Sequence, residues 1–299
     1  MSAQADPAGR MAIFAAIGAA VASFCAGTSL AAIRSLAGEA DSLTITVWRV
    51  AIGVVLLVPF ALWFERGWPR GRDILRLALL GILMFGIAQW LVSASLLHTS
   101  AARGGIIASA TPFLALVMAT LTGVERFAWA KLAGVLLASA GVAMALWNDA
   151  SAVPSGWRGD LLMLAGATTV AAFNVAGART ARRFPPLIFV VATMVPGTLF
   201  LTVIALASGA PVGRLDYPPE AWAAIAYIGV AGSLVAYGVT LWALKHTTPT
   251  RVSIAITMNP IGAILGAALL LGEPLSPGLF AGLATIILGL VLANRRAAR

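Results

Sequence analysis

Runs of about 20 apolar residues, broken by short polar stretches, follow one another along the whole chain. A bilayer hydrocarbon core of roughly 30 Å takes about 20 residues of helix to cross. Read at that length, the pattern predicts membrane spans at 11–33, 43–64, 74–97, 104–122 and 128–147, then 159–178, 187–208, 220–244, 252–271 and 276–294. Helix is the expected state of all ten, because an open sheet leaves backbone groups unpaired in lipid and these segments lack barrel-strand alternation. The connections are short, as in Glu65-Arg66-Gly67-Trp68-Pro69-Arg70 and Phe184-Pro185-Pro186, with no room for a soluble domain. The first run is too long for the core of a signal peptide and is expected to be a retained span.

The punctuation inside these runs repeats. Between Gly104 and Gly141 stand Ala110-Thr111-Pro112, Gly123-Val124-Glu125, Gly134 and Gly141. At an offset of 148 positions Pro112 maps to Pro260, Glu125 to Glu273, Gly134 to Gly282 and Gly141 to Gly289. The same offset pairs Arg103 with Arg251, Thr99 with Thr247, His98 with His246, Gly81 with Gly229 and Gly18 with Gly166. One constant offset near half the length marks a duplicated unit, and divides the chain into repeats 1–148 and 149–299. Five spans per unit is an odd number, so a copy following one that starts inside must start outside. The predicted fold is an all-α membrane protein of ten transmembrane helices, arranged as two five-helix inverted-topology repeats in one integral membrane domain.

Composition agrees. The chain is 60% hydrophobic and 10% charged, with a mean hydropathy of +0.95, against about 25% charged residues in soluble domains. The solvent it implies is membrane lipid. The net charge of +9 lies in short loops rather than on one face, which reports orientation and not a nucleic-acid partner. With both termini inside, Arg34, Arg103, Arg158 and Arg214 fall outside, Arg49 falls within a span, and the rest of the 20 Lys and Arg fall inside. That asymmetry predicts a multi-pass protein with both termini cytoplasmic. The one cysteine, Cys25, excludes an intramolecular disulfide.

Arg103–Val142 and its echo Arg251–Leu290 resemble the paired hallmark of EamA-type carriers in the drug/metabolite transporter superfamily: an apolar helix with a central proline, a turn with Gly and Glu, and a glycine-bearing helix. Asp41-Ser42-Leu43 leading to Trp48-Arg49 is similar to the start of that family's second helix. Pro196-Gly197 stand where Trp48-Arg49 would repeat, so Arg49 belongs to one half only. The likeness covers essentially the whole chain. Its size, spans and aromatic content look most like the bacterial aromatic amino-acid exporter branch. The resemblance implies alternating access in the bacterial cytoplasmic (inner) membrane.

Several residues are candidates for a solute site. Pro112 and Pro260 interrupt their spans beside Ser109, Thr111, Thr257 and Asn259, and such breaks persist in a bilayer where protein or a wet cavity meets the freed carbonyl. They are read as helix-break or gating positions at the wall of a cavity between repeats, where inverted-repeat carriers hold substrate; the alternative is a structural kink. Phe85, Gln89 and Ser93 share a face of the third span, and their mates on the eighth are Ser233, Tyr237 and Leu241. A glutamine in lipid is expensive and should face the bundle interior. Phe173-Asn174, Trp90 and Trp242 complete the lining candidates, while Trp48, Trp63, Trp68, Trp129, Trp147, Trp157 and Trp222 read as interfacial anchors. Gly134, Ala138, Gly141 and Ala145, with Gly278, Gly282, Thr285 and Gly289, form small-residue stripes for helix packing. Arg49 either holds a substrate carboxylate or pins neighbouring helices; on the second span, the structural role is expected.

Every Asp and Glu falls in a tail, a loop or at a span edge, and the two histidines, His98 and His246, lie at helix ends. No mid-membrane carboxylate is available to exchange a proton with substrate. No metal cluster, cofactor motif or nucleophile–base pair is visible, so a membrane enzyme has no chemistry to stand on, and a receptor does not need inverted duplication. The expectation is a monomeric small-solute exporter without cofactor, moving aromatic or large neutral amino acids by facilitated diffusion or exchange. The alternatives are export of another metabolite or drug, or a non-transporting membrane enzyme or receptor.

Overall fold

The computed structural model describes residues 7–123, 137, 140–141, 156–246, 255, 258–273, 275 and 277–295. Among the described residues regular structure is helical throughout. Seven helices are long and apolar enough to cross a membrane. Six are α1 (Pro7–Ser35), α2 (Ser42–Phe64), α3 (Arg72–Leu96), α4 (Ala101–Leu121), α5 (Gly156–Ala181) and α6 (Pro186–Ala207). The seventh, α7, runs through Pro219–Val239 and continues as Thr240–His246. Two more follow, α8 (Met258–Leu271) and α9 (Pro277–Arg295). Apart from residues 137, 140–141 and 255, the predicted fifth span with Gly134, Ala138 and Ala145, the start of the ninth span and Glu125 lie outside the described residues.

Local chemistry sets the helix starts. Asp41 caps α2, its carboxylate accepting from the amides of Leu43 at 2.9 Å and Thr44 at 3.0 Å. Ser100 caps α4 through the amide of Arg103 at 3.2 Å. Proline occupies the first turn of α6 and α7, where its missing N–H costs nothing. Two caps come from the far half of the chain. The Glu65 carboxylate accepts from the amide of Ile188 at 3.0 Å in the first turn of α6. Glu273 accepts from the amides of Ala101 at 3.2 Å and Ala102 at 3.4 Å at the start of α4. A carboxylate at a helix N-terminus also meets the positive end of its dipole.

Packing follows the sequence offset, under which α1 to α4 become α5 to α8. α1 lies against α7 and α8, as α5 lies against α3 and α4. α2 packs on α7, as α6 packs on α3, while α2 with α6 and α4 with α8 pair mate to mate. The contacts thus repeat about a two-fold relation. Where α1 meets α8, a Cβ on Gly27 would strike the Asn259 carbonyl and one on Gly262 the Phe24 carbonyl. Backbones this close gain dispersion contacts that larger side chains would forbid, the usual means of helix association in lipid. Large apolar side chains such as Trp63, 84% exposed, and Leu269, 83% exposed, point outward, as lipid-facing positions do.

Two internal stretches depart from α-geometry. α3 becomes π-helical over Ile82–Ala88 and α7 over Val230–Val239. Their first residues, Ile82 and Val230, are separated by the repeat offset and follow Gly81 and Gly229. A π-stretch inserts an extra residue into the turn and loosens the hydrogen-bond ladder, and such stretches are frequent at functional sites.

Polar contacts sort the connections to two ends. At one end Arg34 donates to the carbonyls of Leu96 at 3.1 Å and Leu97 at 3.0 Å, and Glu273 caps α4. There the Asp160 carboxylate accepts from the Thr99 hydroxyl at 2.8 Å and pairs with Arg103 through Nε and Nη2. At the other end Glu65 caps α6, and Asp73 pairs with Arg183 at 3.1 and 3.2 Å.

Candidate solute site between the repeats

The two π-stretches deliver the central pair. Gln89 directly follows the first and Tyr237 lies within the second. The Gln89 amide Nε2 donates to the Tyr237 hydroxyl at 3.1 Å, and the Phe85 ring meets the Tyr237 ring edge-on with centroids 5.3 Å apart. Gln89 and Tyr237 are repeat mates, separated by the 148 positions of the duplication. Mates related by a two-fold can touch only near its axis, so this contact marks the axis. Phe85 and Gln89 are buried, at 2% and 7% exposure. Ser93, one turn further on, is fully buried with no partner for its hydroxyl. The centre therefore holds an aromatic face, an amide, a phenol and a hydroxyl free to bond a guest.

The remaining candidates are placed unevenly around this centre. Phe173 packs against Phe189, centroids 6.1 Å apart, within the cluster that also contains Phe85. Asn174 is exposed. Trp90 is exposed and its indole donates to Ser42 Oγ at 3.1 Å. Trp242 is exposed too, its ring 5.0 Å from that of His246 and resting near Gly18. Among the described residues no hydrogen bond or ring contact joins Trp90, Asn174 or Trp242 to the Gln89–Tyr237 pair.

α4 breaks at Ser109-Ala110, between the segments Ala101–Ala108 and Thr111–Leu121, and Pro112 stands in the first turn of the second segment in an exposed position. The Ser109 and Thr111 hydroxyls donate back to the carbonyls of Ile106 at 2.5 Å and Ala108 at 2.6 Å. That is local bonding of the kind a kink uses, and it commits both protons within α4. Pro260 is buried, and Asn259 presents its backbone to Gly27 of α1. Thr257 lies outside the described residues. His98 and His246 are exposed, at helix ends as the sequence predicts.

Arg49 is placed differently from the sequence expectation. α2 packs on α7, which carries Tyr237, so the second span borders the central pair rather than standing outside it. The side chain is 7% exposed, and its Nη1 has no partner. None of its side-chain nitrogens donates a hydrogen bond to a described residue. The sequence signal was present, a lone charge in an apolar run, but spacing could not show which helix it faced.

With this geometry the family becomes legible. The sequence model of the EamA-like transporter family matches residues 13–147 and again 157–295. The chain belongs to the EamA-like transporter family. The double match supports a two-repeat architecture of the drug/metabolite transporter superfamily. The chain is 24% identical over 257 residues to the uncharacterized transporter YyaM of Bacillus subtilis (strain 168), covering 83% of this chain and 82% of that protein. It is 26% identical over 230 residues to a probable terminal-alkyne amino-acid exporter of Streptantibioticus cattleyicolor, covering 76% and 75%. It is 23% identical over 244 residues to the uncharacterized inner membrane transporter YedA of Escherichia coli (strain K12), covering 80% and 77%. One solved structure superposes with a TM-score of 0.65 at 18% identity, covering 96% of this chain and 98% of its own, which shows the fold alone. Family and relatives make this EamA-like protein a small-solute membrane transporter.

Proposed function

We propose that the protein exports aromatic or other large neutral amino acids across the bacterial inner membrane, as a monomer, by alternating access of two inverted five-helix repeats. The observation that carries the reading is the Gln89–Tyr237 hydrogen bond between repeat mates, with Phe85 edge-on to the phenol. A site on the axis is equivalent for both halves, so exchanging their conformations opens it to either face without moving it. The buried ring edge and the polar amide suit a solute with one apolar and one polar end. A relative bearing the name of an amino-acid exporter points the same way.

The carboxylates near the spans are engaged in structural work: Asp160 with Arg103 and Thr99, Glu273 and Glu65 as helix caps. Among the described residues none stands mid-span to carry a proton against the solute, which favours transport down the solute gradient or by exchange. The test is counterflow and net efflux of a radiolabelled amino-acid panel from liposomes, with and without an imposed pH gradient. Aromatic amino acids should exchange in both conditions. Uphill accumulation driven by the pH gradient alone overturns the energetics, and no flux of any amino acid overturns the substrate class.

A further inference from the structure

We infer that Arg49 is the receptor for a carboxylate on the transported solute, an assignment that rests on the transport reading above and narrows its substrate class. Arg49 lies in the interior of α2, between Ser29 of α1 and Gly232 and Ser233 of α7. Its guanidinium offers five donors in a planar fork. The residue is 7% exposed, its Nη1 has no partner, and among the described residues its guanidinium makes neither a hydrogen bond nor an ion pair.

Other arginines show how this chain settles a guanidinium near a span. Arg103, 5% exposed, pairs with Asp160, and Arg34 donates to the carbonyls of Leu96 and Leu97. Arg49 has no such arrangement, yet room has been made for it. A Cβ on Gly232 would stand 3.2 Å from Nη2 and 3.3 Å from Nε, so the absent side chain there lets the fork lie against α7. Tyr237 of the axial pair lies four residues beyond Ser233 on the same helix.

The repeat mates explain why the site is lopsided. Arg49 sits against Ser233; the mates of these two are Gly197 and Phe85, and a Cβ on Gly197 would strike the Cβ of Phe85. One half therefore places a cation beside the axis where the other places an aromatic ring. A solute with a carboxylate at one end and an apolar ring at the other matches both. A buried charge that waits for its counter-ion also favours the loaded carrier, since the carboxylate neutralises it inside the membrane.

The test measures binding of L-phenylalanine, 3-phenylpropionate and L-phenylalaninamide to purified full-length protein. Wild type should bind both acids and bind the amide at least about 10-fold more weakly, as losing a charge-assisted contact implies. Arg49→Gln should weaken both acids by about that factor and leave the amide unchanged, while Arg49→Lys should keep part of the preference. Equal weakening of all three ligands in Arg49→Gln indicates a structural arginine and overturns the inference. So does a wild-type acid-to-amide ratio near one, which decides the matter even if Arg49→Gln does not fold. If wild type binds none of the three, the aromatic amino-acid reading falls by itself. Arg49 is then judged by protection from thermal unfolding: benzoate protecting wild type where benzamide does not, and not protecting the variant, upholds it, and equal effects overturn it.

Discussion

Replacing Asp160 by alanine should destabilise the protein more than any other single change at its end of the bundle. Its carboxylate accepts from Thr99 at 2.8 Å and pairs with Arg103 through two nitrogens. The Arg103 side chain is 6% exposed and that of Asp160 14%, so neither is well hydrated, and Nη1 of Arg103 already lacks a partner. Removing one member of a buried pair leaves an uncompensated charge and typically costs about 3–5 kcal/mol. Because Asp160 keeps some solvent contact, the lower figure of about 3 kcal/mol applies. At roughly 2–4 °C per kcal/mol for a chain of this size, the midpoint should fall by about 6–12 °C. Asp160→Asn keeps acceptors for Thr99 and Arg103 and should lose about 1–2 kcal/mol. The double variant Asp160→Ala with Arg103→Leu removes the stranded charge and should recover about 2 kcal/mol of the loss, so the two changes are not additive. Tryptophan-fluorescence melting in detergent reads all three. A double variant melting below Asp160→Ala refutes the reasoning, because the arginine would then contribute without its partner.

Three further outcomes follow from the packing. Glu273→Ala should cost about 1 kcal/mol in the same melt through loss of the α4 cap, and Glu273→Gln less, since the amide oxygen still accepts. Gly81→Ala, whose Cβ would collide with the Thr193 carbonyl, should abolish folded protein on size-exclusion chromatography, whereas Gly177→Ala, with neighbours no nearer than 3.8 Å, should be tolerated. In a chain carrying Cys25→Ser, cysteines placed at Glu125 and at Glu273 should react with an impermeant maleimide from opposite faces of oriented vesicles; labelling of both from one face contradicts the inverted repeat.

Much of this architecture was legible because lipid imposes a coarse rule. Apolar runs of span length gave α2, α3 and α6 within about two residues of their ends, and the constant offset anticipated that contacts would repeat. Gln89 and Tyr237 could be paired as mates from the offset, and Gln89 turned inward because a glutamine in hydrocarbon is expensive. Apolar content alone could not orient a helix, however. Trp90 and Trp242 were lining candidates by depth along their spans; both are exposed, and depth does not say toward what. The π-stretches left no mark beyond Gly81 and Gly229, since π-geometry is decided by the neighbours a helix meets rather than by its own propensities. The surroundings of Arg49 were hidden for a related reason: its span was taken as peripheral, and only the packing of α2 on α7 shows which helix it lies beside.

The most direct measurement of the central claim is counterflow of labelled L-phenylalanine into liposomes holding wild type, Gln89→Ala, Tyr237→Ala or Trp63→Ala, matched for reconstituted protein. Gln89 and Tyr237 meet on the repeat axis, whereas Trp63 is 84% exposed on the outer surface. The account predicts robust counterflow for wild type and Trp63→Ala. Each axial variant should lose about 10-fold or more, as expected when a buried polar contact to the solute is removed. Unchanged counterflow in both axial variants, together with loss in Trp63→Ala, would contradict a site between the repeats.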